Sequence, residues 1–199
     1  MMVGRVIYEE PKTKSAVAAD APVVLKVEGL NAGKMVQDVS FELKKGEILG
    51  FSGLMGAGRT ETARAIFGAD PKTSGKISIA DESGQLKEVT IHSPQDAVKA
   101  GIGYLSEDRK RYGVVTQKTV AENTTLACLE KYVDHFFINK SKEIKDTNAF
   151  IEKLATKTPS PNQLVVNLSG GNQQKVVIQK WLDRDSEILI FDEPTRGID

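Results

Sequence analysis

The chain has 199 residues, enough for one domain with a hydrophobic core, or for a core and a small lobe, but too few for several independent domains. Lys and Arg together number 27, and so do Asp and Glu, so the formal net charge is zero. This balance excludes the basic surplus that is usual in a dedicated nucleic-acid-binding protein. The 40% hydrophobic and 27% charged residues disfavour wholesale disorder, and the single cysteine, Cys128, excludes an intramolecular disulfide and is interpreted as a small buried helix residue.

The first half of the chain alternates between strand and helix patterns. Residues 1–20 mix charged and small side chains without a period, which predicts a tail or linker. Alternating apolar residues at 23–27 and 39–43 predict a small antiparallel layer. Residues 47–52 predict a short apolar strand, and 59–67 predict a helix.

Further strands are predicted at 76–80, 89–91 and 101–105, and Ser93 is the expected N-cap of a helix that starts at Pro94. The two histidines, His92 and His135, have no partners at metal-ligand spacing and are interpreted as structural.

The following region has a helical pattern. Thr119 and Glu122 have the spacing of a capping box. Ile144, Ile151 and Leu154 would share one face of a polar helix. The last predicted strand, 187–191, is apolar enough to be buried on both faces.

A glycine-rich segment between the predicted strand at 47–52 and the predicted helix has the spacing of a phosphate-binding P-loop, with arginine in the place of lysine. Glycines let successive backbone N–H groups wrap around phosphate oxygens, and the following helix N-terminus favours negative charge. Thr60 offers a hydroxyl for Mg²⁺, and Arg59 offers positive charge in a planar fork. Without further support, an ordinary glycine turn is the alternative. The segment consists of Gly53, Leu54, Met55, Gly56, Ala57, Gly58, Arg59 and Thr60.

Two carboxylates, Asp192 and Glu193, follow the last predicted strand and resemble a Walker B segment. In such a segment the aspartate holds Mg²⁺ and the glutamate polarises the attacking water. A solvated acidic turn is the alternative, and the P-loop makes it the weaker one.

A third motif, Leu-Ser-Gly-Gly-Asn-Gln-Gln at 168–174, precedes a predicted helix with an apolar stripe. Ser169 could cap this helix while Gly170 and Gly171 leave its amides accessible to an anion. A capped surface helix is the alternative interpretation.

The order of these three motifs resembles that of the ATP-binding-cassette (ABC) family, in which the motif at 168–174 corresponds to the signature sequence. More narrowly, the chain is similar to the second nucleotide-binding domain of the two-cassette ATPase subunits that power bacterial importers of ribose, galactose and xylose type. The resemblance covers about residues 21–199. It is carried by the runs at 46–50, 58–61, 106–111, 172–176 and 192–199.

The resemblance implies an α/β fold: a RecA-like P-loop core with an antiparallel edge layer at 21–105, a helical lobe at 106–181, and a return to the core at 182–199. It also places a switch residue and the last core strands beyond Asp199, so the domain is expected to be incomplete at its C-terminus.

The implied ligands are ATP and Mg²⁺, and the implied roles follow the motifs. Glu193 would be the catalytic base, and Thr60 and Asp192 would bind Mg²⁺. The P-loop with Glu61 and Glu107 would contact this cassette's own nucleotide. Ser169, Gly170, Gly171 and Gln173 would contact a second ATP, held by a partner cassette in a head-to-tail pair.

The implied function is ATP hydrolysis that powers monosaccharide import, at the cytoplasmic face of the membrane. The expected partners are the second cassette, transmembrane permease subunits and, indirectly, a sugar-binding protein, but not nucleic acid.

Two departures from the family pattern support an alternative. Arg59 replaces the P-loop lysine, and Glu107 stands where a glutamine is usual. A carboxylate near phosphates is unfavourable unless a cation offsets it. The alternative is therefore a regulatory cassette that binds ATP, hydrolyses it slowly and supplies its signature motif to the partner. A more distant alternative is a soluble ABC protein of DNA repair or translation.

Overall fold

The computed structural model describes residues 17–18 and 20–195. Most of the predicted tail at 1–20, and residues 196–199 at the end of the acidic motif, lie outside the described residues. No helix in the described part of the chain is long and apolar enough to cross a membrane.

The antiparallel layer is present as predicted, and it has four strands. β1 (Val23–Ala32) pairs with β2 (Val36–Lys44) on one side and β3 (Ser74–Ala80) on the other, and β4 (Leu86–Glu88) follows β3. The alternation predicted from sequence places Leu25, Val27 and Ile77 in the core.

The strand predicted at 89–91 is wrong. The amide of Val89 still donates to Ile77 O, but the chain then leaves the ladder, and Ile91 turns into the core before helix α2 (Pro94–Lys99). Ser93 caps α2 as predicted, since its side chain accepts a hydrogen bond from the amide of Asp96.

The acidic residues Asp192 and Glu193 follow the second strand of a parallel pair. β5 (Ile102–Leu105) pairs in parallel with β8 (Ile188–Phe191), and the amide of Asp192 extends the ladder by donating to Leu105 O. β8 was predicted to be buried on both faces, but only its start is: Ile188 is buried, whereas Phe191 is exposed. Within the described residues, β8 is covered by β5 along one edge only.

The strand predicted at 47–52 does not form. These residues are irregular and mostly exposed, and the side chain of Ile48 is 94% exposed. Among the residues that the structure describes, the segment lacks a pairing strand, and a short apolar run becomes a strand only beside a neighbour that shares its backbone hydrogen bonds. Neither β5 nor β8, nor any other strand in the described part of the chain, pairs with this segment. The glycine-rich loop at 53–58 then connects this segment to helix α1 (Arg59–Ile66).

Helices dominate the region between the two parallel strands. After a single π turn (Arg109–Gly113) come α3 (Val120–Thr125), a 3₁₀ segment (Leu126–Tyr132) and a small hairpin made of β6 (Val133–Asp134) and β7 (Phe137–Ile138). α4 (Lys140–Lys153), a 3₁₀ turn (Val165–Asn167) and α5 (Gly170–Asp183) complete it.

Two predictions in this region can be compared directly with the structure. The capping box is confirmed, because Thr119 accepts from the amide of Glu122 and the Glu122 carboxylate accepts from the amide of Thr119. Cys128 is buried as predicted, but it lies at a kink with non-helical backbone angles rather than inside a helix.

Candidate nucleotide site

The P-loop wraps around the N-terminus of α1, and its last glycine is sterically required. Gly58 has a φ of 83°, and a Cβ on it would lie 2.6 Å from the carbonyl oxygen of Met35. Gly56 also has a positive φ. Glycine is the residue that adopts this conformation without strain, so these two positions set the direction in which the loop enters the helix.

The residues of the loop are open to solvent on the side away from the core. Leu54 and Met55 at its tip are 86% and 96% exposed. α1 starts immediately after Gly58, with Arg59 and Thr60 in its first turn and Glu61 beside them. Its N-terminal amides and helix dipole therefore lie where the sequence predicted a phosphate-binding terminus.

Two contacts join the P-loop to the end of β8. The hydroxyl of Thr60 donates to Asp192 Oδ1 at 3.1 Å, and Arg59 Nη2 lies 3.3 Å from Glu193 Oε1. The fold thus brings together residues that are more than 130 positions apart in sequence. Thr60 and Asp192 are the two residues predicted to share Mg²⁺, whereas the contact between Arg59 and Glu193 was not predicted.

Asp192 is held in a fixed orientation. It is only 8% exposed, and its second oxygen, Oδ2, accepts a hydrogen bond of 2.9 Å from the hydroxyl of Tyr104. Burial and this hydrogen bond to Asp192 raise the pKa of Tyr104 well above its usual range, so the phenol stays protonated and acts as a donor. Tyr104 was missed by the sequence analysis, although it is the only polar side chain in β5.

The oxygen atoms at this point suit a divalent hard cation. Mg²⁺ prefers oxygen ligands, usually one or two protein groups together with phosphate oxygens and water. The Thr60 hydroxyl and Asp192 Oδ1 lie within hydrogen-bonding distance of each other at the end of the P-loop. The donors to the buried Asp192 carboxylate are the hydroxyl groups of Thr60 and Tyr104, which carry no positive charge. Its negative charge is therefore available to a cation.

Glu193, the predicted base, differs from Asp192 in its surroundings. Its side chain is about half exposed and its backbone has a φ of 48°, which is unusual for a residue other than glycine. Strained backbone of this kind is concentrated at functional sites. Its carboxylate forms an ion pair with the guanidinium of Arg59.

The signature segment, residues 168–174, lies at the start of α5. Ser169 occupies the N-cap position, but the prediction that its side chain caps the helix is wrong: the hydroxyl accepts instead from the Asn172 side chain at 2.9 Å. Ser169 is exposed, and Gly170 and Gly171 form the first turn of α5. The backbone amides of this turn are therefore not used by the Ser169 side chain.

Gln173 has a different environment from the one predicted. It is 5% exposed, and its amide nitrogen donates to the carbonyl oxygens of Val165 and Leu168 at 3.1 Å. Its side chain thus fixes the chain entering α5. Contact with a nucleotide would require this amide group to leave its backbone partners.

Glu107 follows β5 in a bend that leads to the π turn. Nearby, Asp108 accepts from the amide of Arg111, and the ring of Tyr112 packs between the guanidinium groups of Arg64 and Arg111. The 106–113 segment is thereby attached to α1, since Arg64 belongs to that helix.

Comparison with known proteins decides the family. The profile described as ABC transporter matches residues 36–196, which is most of the chain. The chain belongs to the ABC transporter family. The matched range of this ABC chain includes both the P-loop and the acidic end of β8.

Two relatives of this ABC protein match along its whole length. It is 51% identical to a putative ribose/galactose/methyl galactoside import ATP-binding protein of Albidiferax ferrireducens. It is 49% identical to a ribose import ATP-binding protein of Clostridium tetani. In both cases the alignment covers 100% of this chain and 38% of the relative, so the chain spans well under half of their length.

Solved ABC structures confirm the fold. A dimeric, post-hydrolysis state of the ATP-binding cassette MJ0796 bound to ADP and Pi matches with a TM-score of 0.69 at 21% identity, over 88% of this chain and 76% of the other. A bacterial Atm1-family ABC exporter with ATP bound matches with a TM-score of 0.65 at 22% identity, over 94% of this chain and 32% of the other. The predicted α/β cassette fold is thus correct.

Proposed function

We propose that this chain is the ATP-binding and ATP-hydrolysing cassette of a transport ATPase that powers import of a monosaccharide. The observation that carries the proposal is the Thr60–Asp192 contact, which joins the P-loop to the acidic end of β8. The names of the relatives, which are import ATP-binding proteins for ribose and related sugars, support the transport role.

The residues of the site suggest how it would work. The loop amides and the N-terminus of α1 would bind the phosphates, and Arg59 would add positive charge. Thr60 and Asp192 would hold Mg²⁺, which supplies charge neutralisation on the phosphate oxygens. Glu193 would accept a proton from the attacking water, as a positioned carboxylate does in general base catalysis.

We further propose that the exposed start of α5 serves a second nucleotide, held by a partner cassette in a head-to-tail pair. Ser169, Gly170 and Gly171 present their backbone at a helix terminus, a geometry suited to an anion. The dimeric state of the cassette MJ0796 supports a paired arrangement. Permease subunits, and through them a sugar-binding protein, would be the further partners, at the cytoplasmic face of the membrane.

The test is the substitution Glu193→Gln in the full-length ATP-binding protein assembled with its permease. Loss of a general base typically lowers a rate by about 10²–10⁴-fold, so steady-state ATP hydrolysis should fall by at least about a hundredfold while ATP binding persists. Glu187→Gln is the matched control, because Glu187 is an exposed glutamate at the opposite end of β8. An unchanged rate in the Glu193 variant would refute the assignment of the base.

The regulatory cassette is the second candidate, and the Arg59–Glu193 ion pair favours it. The guanidinium engages one oxygen of the Glu193 carboxylate, and this contact would compete with the attacking water and slow hydrolysis. Arg59→Lys distinguishes the two candidates. A regulatory site should gain hydrolysis when the compact ammonium replaces the guanidinium, whereas the rate of a working site should change little.

A further inference from the structure

The strand β5 carries one polar side chain, Tyr104, in an otherwise apolar run of four residues. The residue is 7% exposed, and its hydroxyl donates to Asp192 Oδ2 at 2.9 Å. Buried hydroxyl groups require a partner, but a tyrosine in an apolar strand could have been phenylalanine without loss of packing. Packing of the hydrophobic core therefore does not explain why this residue carries a hydroxyl group.

We propose that Tyr104 is a positioning residue for the cation site: its hydroxyl fixes the Asp192 carboxylate so that the other oxygen faces Thr60 and the Mg²⁺ of the bound nucleotide. This inference rests on the proposed nucleotide-binding function. It assigns Tyr104 a role through Asp192, not a direct contact with nucleotide or metal.

The distribution of donors on the carboxylate supports this role. Each of its two oxygens has its own donor: Thr60 on Oδ1 and Tyr104 on Oδ2. Thr60 is itself a candidate cation ligand, so Oδ1 and the Thr60 hydroxyl are the two groups that would face the metal together. The Tyr104 hydrogen bond lies on the opposite oxygen and can persist with the metal bound, which keeps the carboxylate from rotating.

The phenol ring is itself fixed by aromatic packing. The rings of Tyr104 and Phe67 lie 5.3 Å apart, and Phe67 packs edge-on against Trp181 at 5.9 Å. Phe67 follows α1, and Trp181 belongs to α5, the helix that begins at the signature segment. Packing against Phe67, which is itself held by Trp181, restricts the Tyr104 ring, so the hydroxyl is presented in one place.

Groups that orient a metal ligand have a measurable effect. Their removal typically lowers metal affinity or activity by about 10–100-fold. Tyr104→Phe removes the hydroxyl and keeps the ring, so the packing against Phe67 is retained. The affinity for the metal should fall, whereas the affinity for a nucleotide without metal should not, because Tyr104 touches no part of the loop in its recorded hydrogen bonds.

The experiment uses the full-length ATP-binding protein with ADP, and Mn²⁺ as a paramagnetic substitute for Mg²⁺. Free Mn²⁺ is counted by electron paramagnetic resonance at saturating ADP, and ADP binding in the presence of EDTA is measured by calorimetry. In Tyr104→Phe we expect Mn²⁺ affinity to fall by about tenfold, with metal-free ADP affinity within about twofold of the wild-type value.

Tyr132→Phe is the matched control. Its hydroxyl also donates to a buried carboxylate, that of Asp183 at 2.8 Å, but in the helical part of the fold. Neither affinity should change in this variant. In an Asp192→Asn background, Tyr104→Phe should add less than about twofold, because the hydroxyl acts through the carboxylate.

Three results would overturn the inference: Mn²⁺ affinity unchanged in Tyr104→Phe, an equal fall in metal-free ADP affinity, or a tenfold further loss in the Asp192→Asn background. Failure of the wild-type protein to bind ADP and Mn²⁺ would refute the proposed function as well. The two failures are thus distinguishable.

Discussion

The helical lobe and the P-loop region of this protein differ in how their polar side chains are bonded. In the helical lobe, residues 106–181, and at the adjoining end of α5, several buried charged and polar side chains bond to one another, although Thr147 Oγ1 and Trp181 Nε1 have no hydrogen-bond partner among the described residues. The phosphate edge, which we define as residues 53–60 with 192–193, leaves most of its surface open. In the lobe, Asp183 is buried and accepts from Cys128 Sγ and the Tyr132 hydroxyl. At the edge, the ion pair between Arg59 and Glu193 is partly exposed.

A second group of buried polar side chains is also hydrogen-bonded within the lobe. Glu143 is 2% exposed, yet its carboxylate accepts from Thr125 and Lys140. The Gln179 side chain bridges Thr124 and Thr156. Buried polar groups that are fully bonded stabilise one packing arrangement. We therefore expect substitutions in the lobe to change the free energy of unfolding, and substitutions at the phosphate edge to change mainly the affinity for ligand.

The largest effect is expected from Gly58→Ala, which tests the phosphate edge. The added Cβ would lie 2.6 Å from Met35 O at a residue with positive φ, so the loop must move. Displaced amides lose bonds to charged phosphates worth about 1.5–3 kcal/mol each, and Mg-ATP affinity should fall by about a hundredfold. Isothermal titration calorimetry checks this.

Gly50→Ala is the control for that substitution, because a Cβ there has no atom within 4 Å and the backbone φ is not positive. Its ATP affinity should match the wild-type value. Equal affinities for ATP in the Gly58 variant and the control would show that the loop geometry does not matter for binding.

The second prediction tests the lobe. Asp183→Leu leaves the buried Cys128 thiol without its acceptor and leaves the Tyr132 hydroxyl with only Asp146 Oδ2, at 3.2 Å. An unsatisfied group costs about 1–3 kcal/mol, so the free energy of unfolding should fall by about 2 kcal/mol in urea denaturation. Mg-ATP affinity at the phosphate edge should change little under conditions where the protein is folded.

Glu130→Ala provides the comparison for Asp183. Glu130 is an exposed acidic residue of the same region that pairs with Arg184 at the surface. Exposed pairs contribute about 0–1 kcal/mol, so this variant should lose less than about 1 kcal/mol. Similar losses in the two variants would contradict the interpretation of the Asp183 network as a stability centre.

Local signals were readable from the sequence, because each depends on residues close in the chain. The caps at Ser93 and Thr119 are formed by bonds that span three residues, and both predictions are confirmed. For the phosphate edge, motif order along the chain was enough to pair Thr60 with Asp192.

The features that were missed depend on neighbours distant in sequence. Residues 47–52 have the composition of a strand, but composition does not reveal whether an edge is available to pair with. Tyr104 could have been noted as the lone hydroxyl in an apolar strand that runs parallel to β8. Gln173 was assigned by its place in a motif, whereas its burial depends on how the 165–168 turn packs on α5.

The third prediction concerns Lys180, which links the lobe to the segment that follows β5. Its ammonium is buried, donates to Gly113 O and lies over the Trp181 ring. Burial lowers the pKa of Lys180 to about 8 from an ordinary value of 10.5. The unfolded chain therefore holds more protons than the folded one between these values, so this residue's contribution to stability rises as pH increases from 8 to 10.5.

Lys180→Met removes that titration. We expect the free energy of unfolding of the wild-type protein, relative to this variant, to increase by about 2 kcal/mol between pH 7 and pH 10. Chemical denaturation at several pH values measures the difference. Lys175→Met, on a less buried face of the same helix, should show no such slope. A pH-independent difference between the wild-type protein and the Lys180 variant would show that the ammonium is not destabilised by burial.

The smallest effect is expected at the capping box of α3. The amide of Thr119, followed by Lys118, lowers the pKa of Glu122 to about 2. A carboxylate whose pKa is lower in the folded state contributes stability above its unfolded pKa of about 4.5, and this contribution is lost as pH falls towards 2.

Glu122→Gln keeps the side-chain acceptor of the capping box and removes only the charge, so it isolates that contribution. Because the carboxylate is partly exposed and screened by solvent, the loss of unfolding free energy at pH 7 should be about 0.5 kcal/mol, and it should shrink as the pH is lowered from 5 towards 2. Urea denaturation of both proteins across this range measures it. Glu152→Gln, an exposed glutamate on α4, is the control and should show no pH-dependent difference. If the Glu122 difference stayed constant down to pH 2, the lobe's caps would act through hydrogen-bond geometry alone and not through charge.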